Sequence, residues 1–207
     1  MAKVKSAKKH VIGVDLGGTK IFTALMDKEG HILAEVKQAT QAKEGPDKVI
    51  GRMTKSIKTV IGEAGISADQ IRAVGVGSPG PLTPDTGVVF STPNLPGWEQ
   101  VPLAEILQKE TGLPTFVEND VNAGTYGEFK LGAGQGAKDV VGIFVGTGIG
   151  GGLILGGTLR SGNRHLAGEL GHVVLMVDGP LCGCGKRGCL EALASRTAIT
   201  RDIVGAI

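Results

Sequence analysis

Apolar positions along this chain fall into two patterns. Short apolar runs at 11–16, 21–26, 32–36, 71–77, 115–118 and 140–145 are bounded by Gly, Pro, Asp or Asn, which predicts strands of a buried sheet. Asp27-Lys28-Glu29-Gly30 reads as the hairpin turn between the second and third runs. After Pro46, which can open a helix, Val49, Met53, Ile57, Val60 and Ile61 recur at helical spacing. Helices are also predicted at 103–110, stopped by Gly112 and Pro114, and at 120–131, following Asn119. Residues 82–100, rich in Pro, Gly, Thr and Asn, read as a long loop.

One arrangement occurs twice. A strand, a glycine/threonine turn and a returning strand occupy 11–26 and again 140–155. In the second copy Gly146 to Gly152 read as the turn and 153–155 as the return. The repetition predicts two duplicated α/β domains, each presenting a glycine turn to a shared cleft. The expected division is a basic tail at 1–10, a first α/β domain at 11–133 and a second at 134–207. Ser195 is a candidate N-cap for a last helix with Ile199, Ile203 and Val204 on one face. Only two or three strands of the second domain precede that helix, so this domain reads as incomplete.

Composition narrows the function classes. A hydrophobic share of 41% and a charged share of 20% over 207 residues describe a globular chain. A net charge of +2 and an aromatic share of 3% argue against a nucleic-acid partner. No apolar run approaches the ~20 residues of a membrane span. The basic start lacks the apolar core of a signal peptide. Reduced, metal-bound cysteines would fit a cytoplasmic protein. Glycine is in excess, 35 residues, and clusters in loops after apolar strands, where backbone passes close to a ligand.

Five groups of residues carry candidate chemistry. Asp15-Leu-Gly17-Gly18-Thr19-Lys20 assembles backbone N–H groups, a hydroxyl and an ammonium, which can cradle phosphate oxygens, with Asp15 placed to hold magnesium. Gly146-Thr147-Gly148 offers a second cradle; either turn by itself is equally an ordinary hairpin. Asp120, opening a helix, suits a base that receives a hydroxyl proton, although Asn119-Asp120 also reads as a capping pair. Asn94 and Trp98 are either sugar contacts or plain loop residues. Finally Cys182, Cys184 and Cys189, with His172 upstream, form a complete donor set for tetrahedral zinc, bracketed by Glu169 and Glu191. The competing reading of those thiols is small buried apolar residues.

Taken in order, Asp15-x-Gly-Gly-Thr-Lys20, Gly77-Ser-Pro-Gly-Pro81, Glu118-Asn-Asp-Val-Asn122, Gly146-Thr-Gly-Ile-Gly150, Glu169-x-Gly-His172 and Cys182-x-Cys-Gly-x-x-Gly-Cys-x-Glu191 resemble the ROK family. That family lies within the sugar-kinase/actin-like ATPase superfamily, and the pattern is most similar to its bacterial glucokinase branch. The resemblance implies an actin-like ATPase/ribonuclease H-like fold and transfer of phosphate from ATP, with Mg2+, to the 6-hydroxyl of a hexose, glucose first. It implies Asp120 as general base and Gly80, Asn94, Asn119, Asp120, Glu169, His172 and Glu191 around the sugar. It places phosphates at Asp15, Gly17, Gly18, Thr19, Lys20, Gly146, Thr147 and Gly148. Structural Zn2+ would be held by His172, Cys182, Cys184 and Cys189. The family also tends towards homodimers. Its repressors carry a helix-turn-helix segment ahead of the first motif; about a dozen residues precede that motif here, so a DNA-binding regulator is not the expected function. Family kinases continue beyond the length seen here, so weak ATP binding is expected of this chain, and a non-catalytic sugar-binding regulator or inactive fragment is the competing function.

Overall fold

A computed structural model describes residues 8–92 and 94–205. They form two compact units, one closing at Asp120 and the other opening at Val121. The expected basic tail lies outside the described residues as far as position 7; Lys8 and Lys9 are exposed, and His10 already pairs in a strand.

In chain order the first unit contains β1 (His10–Leu16), β2 (Lys20–Met26), β3 (Ile32–Ala39), α1 (Pro46–Glu63), β4 (Ile71–Ser78), β5 (Leu82–Thr83), β6 (Val88–Val89), β7 (Val101–Pro102), α2 (Leu103–Thr111) and β8 (Thr115–Asn119). Its main sheet has the order β3-β2-β1-β4-β8. β2 is antiparallel to both its neighbours, while β1, β4 and β8 run parallel, so their carboxyl ends share one edge. Alternation along β1 buries Ile12, Val14 and Leu16 and turns Asp15 to the other face. The apolar stripe of α1, Val49, Met53, Ile57 and Val60, is fully buried in the same core. Pro46 sits at the start of that helix, where its missing N–H costs nothing. Gly112 ends α2 in the left-handed conformation, φ 72°.

The stretch expected as a loop is more ordered than its composition suggests. β5, β6 and β7 make a small antiparallel sheet, because Leu82, Val89 and Val101 supply enough apolar surface to dock on the main core. Trp98, weighed as a sugar contact, is buried in that core beside Leu95, so its ring faces no solvent.

The second unit contains α3 (Asp120–Leu131, from its second residue), β9 (Val140–Val145), β10 (Ile149–Leu155), β11 (Thr158–Leu159), α4 (Leu190–Ala194) and α5 (Arg196–Gly205). Its sheet has the order β11-β10-β9, all antiparallel, and residues 132–139 connect α3 to it. The second turn is tighter than expected, since Gly150, Gly151 and Gly152 lie inside β10. The cause is close approach. A Cβ at Gly152 would stand 2.8 Å from Cβ of Thr125, one at Gly142 3.0 Å from the same atom, and one at Gly150 3.3 Å from Cβ of Val121. Helix α3 therefore rests directly on sheet backbone, and glycine is the residue that permits it. Ser195 caps α5 as expected: its hydroxyl accepts the amide of Ala198 at 3.1 Å. Ile199, Ile203 and Val204 are exposed, as are Val141, Ile143 and Val145 on β9. Among the described residues no helix is long and apolar enough to cross a membrane.

Candidate functional site

The parallel strands of the first unit bring its motifs to one edge. Asp15 pairs in register with Gly77, and Ser78 with Asn119, so β1, β4 and β8 end together and release Gly17-Gly18, Pro79-Gly80 and Asp120 side by side. This is where open α/β sheets hold ligands. The Gly80 backbone lies against the Asn119 amide, with a Cβ there falling 3.7 Å from its Nδ2. Asn94 joins the group, because a side chain on Gly18 would come 2.8 Å from the Asn94 carbonyl oxygen. The backbone N–H of Asn119 donates to the Glu118 carboxylate at 2.9 Å, which steadies the step into α3. Partial burial, and after it the negative charge of Asp120, raise the pKa of Asp15 above the ordinary carboxylate value. Two carboxylates thus face one neighbourhood, an arrangement that favours a cation.

The first glycine turn keeps two of its carbonyls, those of Gly17 and Thr19, occupied. Thr40 donates its hydroxyl to the Gly17 oxygen at 2.6 Å and its amide to the Thr19 oxygen at 2.9 Å. Lys20 is exposed at the start of β2. The surface the turn leaves open is weighted towards donors, as an anion cradle requires.

In the second unit the glycine turn and the cysteine loop meet at one side chain. Glu191, in the first turn of α4, accepts the Ile149 amide with Oε2 at 2.9 Å, while its Oε1 lies 3.6 Å from Cys182 Sγ. Arg196 and Thr197, which sequence reading passed over, also hold this turn, bonding to Gly146 and Thr147. Their only signal in the sequence is their place just after a helix cap, which names no target.

His172, Cys182, Cys184 and Cys189 bring four ligand atoms within 4.8 Å of one another. The Cys184 and Cys189 sulfurs are 3.7 Å apart, and Cys182 Sγ is 3.6 Å from His172 Nδ1. A tetrahedral zinc ion has S–S edges of about 3.8 Å and S–N edges of about 3.6 Å, given bonds of roughly 2.3 and 2.0–2.1 Å. The donor set therefore fits that ion in kind and in spacing. The other ring nitrogen, Nε2, faces the Glu169 carboxylate at 3.9 Å, beyond hydrogen-bond distance. The loop is shaped by Cys182 pairing its amide with the Lys186 oxygen at 2.8 Å and by Gly185 at φ 87°. Burial pushes the Cys182 thiol up to about 11 and raises that of Cys189, whereas the Lys186 backbone amide lowers Cys184.

Comparison with known proteins extends these observations. The profile described as "ROK family" matches residues 11–205. A glucokinase of Thermotoga maritima is 44% identical over 194 residues, covering 94% of this chain and 60% of its own length. The crystal structure of a ROK hexokinase from Thermus thermophilus superposes with a TM-score of 0.85 at 44% identity, covering 95% of this chain and 64% of that one. A ROK family glucokinase from Streptomyces griseus, in complex with glucose and AMPPNP, gives a TM-score of 0.80 at 40% identity, covering 93% and 59%. The chain thus spans about 60% of the length of the curated relative it matches.

Proposed function

We propose, since this chain belongs to the ROK family, that it phosphorylates a hexose at the 6-hydroxyl with ATP, glucose being the preferred acceptor. The observation that carries the reading is the convergence of Asp15, Gly80, Asn94, Asn119 and Asp120 at the carboxyl edge of three parallel strands, with the pKa of Asp15 raised by burial and, after it, by the charge of Asp120. The AMPPNP and glucose bound by the Streptomyces griseus relative support the substrate pair.

In this reading Asp120 accepts the proton of the sugar hydroxyl as its oxygen attacks the terminal phosphorus. It opens α3, where the positive end of the helix dipole favours a negative charge. Asp15 would hold magnesium directly or through water, and Gly17, Gly18, Thr19 and Lys20 would bind phosphate oxygens; magnesium would supply neutralising charge. Gly146, Thr147 and Gly148 do the same in the second unit. Sugar hydroxyls are assigned to Gly80, Asn94, Asn119 and Asp120 of the first unit. Such polar partners reject analogues lacking the hydroxyls they pair with. His172, Cys182, Cys184 and Cys189 would hold structural zinc, which crosslinks a loop with little apolar core of its own. His172 Nδ1 is the metal-side nitrogen, leaving Nε2 to face Glu169.

The test is a coupled assay with glucose, mannose, fructose and N-acetylmannosamine, ATP and magnesium, on this chain and on one extended to the length of its relatives. Asp120→Ala is expected to lower kcat by about 10²–10⁴-fold while sugar binding persists. Unchanged turnover in that variant would overturn the assignment of the base. Sugar binding without turnover in the extended wild-type chain would favour a regulator.

A further inference from the structure

The turn at 146–148 has an unusual distribution of hydrogen bonds. Each of its three carbonyl oxygens is taken. The Gly146 oxygen accepts the Arg196 amide at 3.0 Å, the Thr147 oxygen accepts the Thr197 hydroxyl at 2.8 Å, and the Gly148 oxygen accepts the Gly146 amide at 2.8 Å. Among the described residues the amides of Thr147 and Gly148 have no hydrogen-bond partner. The Thr147 hydroxyl is the remaining polar group. It accepts the Arg196 guanidinium, Nη2 to Oγ1, at 3.1 Å. A guanidinium only donates, so the hydroxyl must take the acceptor role in that bond and keeps its own hydrogen for another partner.

We propose that Arg196 is a positioning residue that turns the 146–148 loop into an all-donor site for a phosphoryl oxyanion. It acts through Thr147, fixing the hydroxyl as a donor, and adds a permanent positive charge beside two open amides. The guanidinium has five N–H donors, so the bond to Thr147 leaves others for the same anion. Solvent reaches Thr147 and Arg196 both, so an incoming oxyanion can too. The chemistry fits the phosphate chain of a nucleoside triphosphate or of inorganic polyphosphate, since nothing in the turn reads a base or a ribose. This inference rests on the phosphoryl-transfer reading above and deepens it with a residue outside the resemblance.

The experiment follows the backbone amides of Thr147 and Gly148 by ¹⁵N–¹H correlation spectra of the 207-residue chain, titrated in parallel with inorganic tripolyphosphate and with ATP. Both resonances are expected to move, and the anion that saturates at the lower concentration identifies the source. Arg196→Ala is expected to raise the midpoint about tenfold, the size of a lost charge-assisted hydrogen bond, and Arg196→Lys to recover part of it. Thr147→Val should raise the midpoint as well, and the double variant should be no weaker than the weaker single one, because the two act as a unit. Zinc content and far-UV circular dichroism of each variant check that the fold persists. Amides that do not respond to either anion, a midpoint indifferent to Arg196→Ala in a folded variant, or fully additive effects would overturn the proposal. The kinase reading fails separately. If the amides respond as expected and no hexose is phosphorylated by the extended chain, the anion site stands without it. If hexose is phosphorylated with the same donor KM in wild type and Arg196→Ala, the kinase stands and the role of Arg196 falls.

Discussion

The carboxylate of Glu191 accepts the amide of Ile149 at 2.9 Å, joining the first turn of α4 to the first residue of β10 across 42 positions. Ile149 is buried and the bond is partly so, which limits how well water could replace a lost partner. Glu191→Ala should therefore destabilise the second unit by about 1–3 kcal/mol, the cost of leaving a buried donor unmade. Glu191→Gln, which keeps an acceptor oxygen, should lose less. Urea denaturation and hydrogen exchange at the Ile149 amide measure both, and undiminished protection in the alanine variant would show that the bond contributes nothing.

The metal-ligand set predicts a stoichiometry. One zinc per chain is expected by elemental analysis, falling well below that in Cys182→Ser, Cys184→Ser or Cys189→Ser. A chelator should lower the melting temperature of the second unit more than that of the first. The ligands all lie in the second unit, whose own buried cluster at the loop is only Cys182, Cys189 and Ala192. Full zinc content in any single serine variant would remove that cysteine from the set.

Asp15 carries a pH signature. Its folded-state pKa is raised, so the folded chain binds that proton more tightly than the unfolded chain. Stability from this group is greatest at acid pH and declines as pH rises from the ordinary 3.8 through the raised folded value. Asp15→Asn removes the penalty. Its melting temperature should exceed that of the wild type at neutral pH, with a gap that widens across the window and is constant above it. In a chain extended to the length of its relatives, the proposed kinase activity should be lost with Asp15→Asn. A gap independent of pH between 3 and 7 would contradict the stated cause (about 3 and 7 bracketing ordinary and raised carboxylates).

The contact of α3 with bare sheet backbone sets the tolerance of β10. Gly152→Ala puts a methyl 2.8 Å from Thr125 Cβ and should cost about 1–3 kcal/mol through overpacking. Thr125→Gly in the same chain should recover part of the loss, giving a coupling of at least about 0.5 kcal/mol in a double-mutant cycle. Strict additivity would mean that the helix moves away instead.

Much of this molecule can be read from residue order alone. Strands such as β1 and β9 are local apolar runs, α1 is a periodic stripe, and Ser195 is a cap defined by the amide three residues on, so neighbours in sequence decide them. The cysteine loop is equally local, its three thiols lying within eight positions. Residues 82–100 and the glycines of β10 were harder. Very short apolar pairs and glycines became strands there because a core or a helix from elsewhere covered them, and no short window contains that partner.

What residue order by itself determined was the kind of chemistry present: which carboxylates, thiols and glycine turns the chain owns, and the repeat that organises them. Which of them meet was decided by tertiary structure. Parallel pairing aligned Asp15 with Gly77 and Ser78 with Asn119, and it took the return of α4 and α5 to bring Glu191 to Ile149 and Arg196 to Thr147. Those bonds span more than forty positions, and a hydrogen bond is specified by distance and direction in space, which the spacing of residues along a chain does not encode.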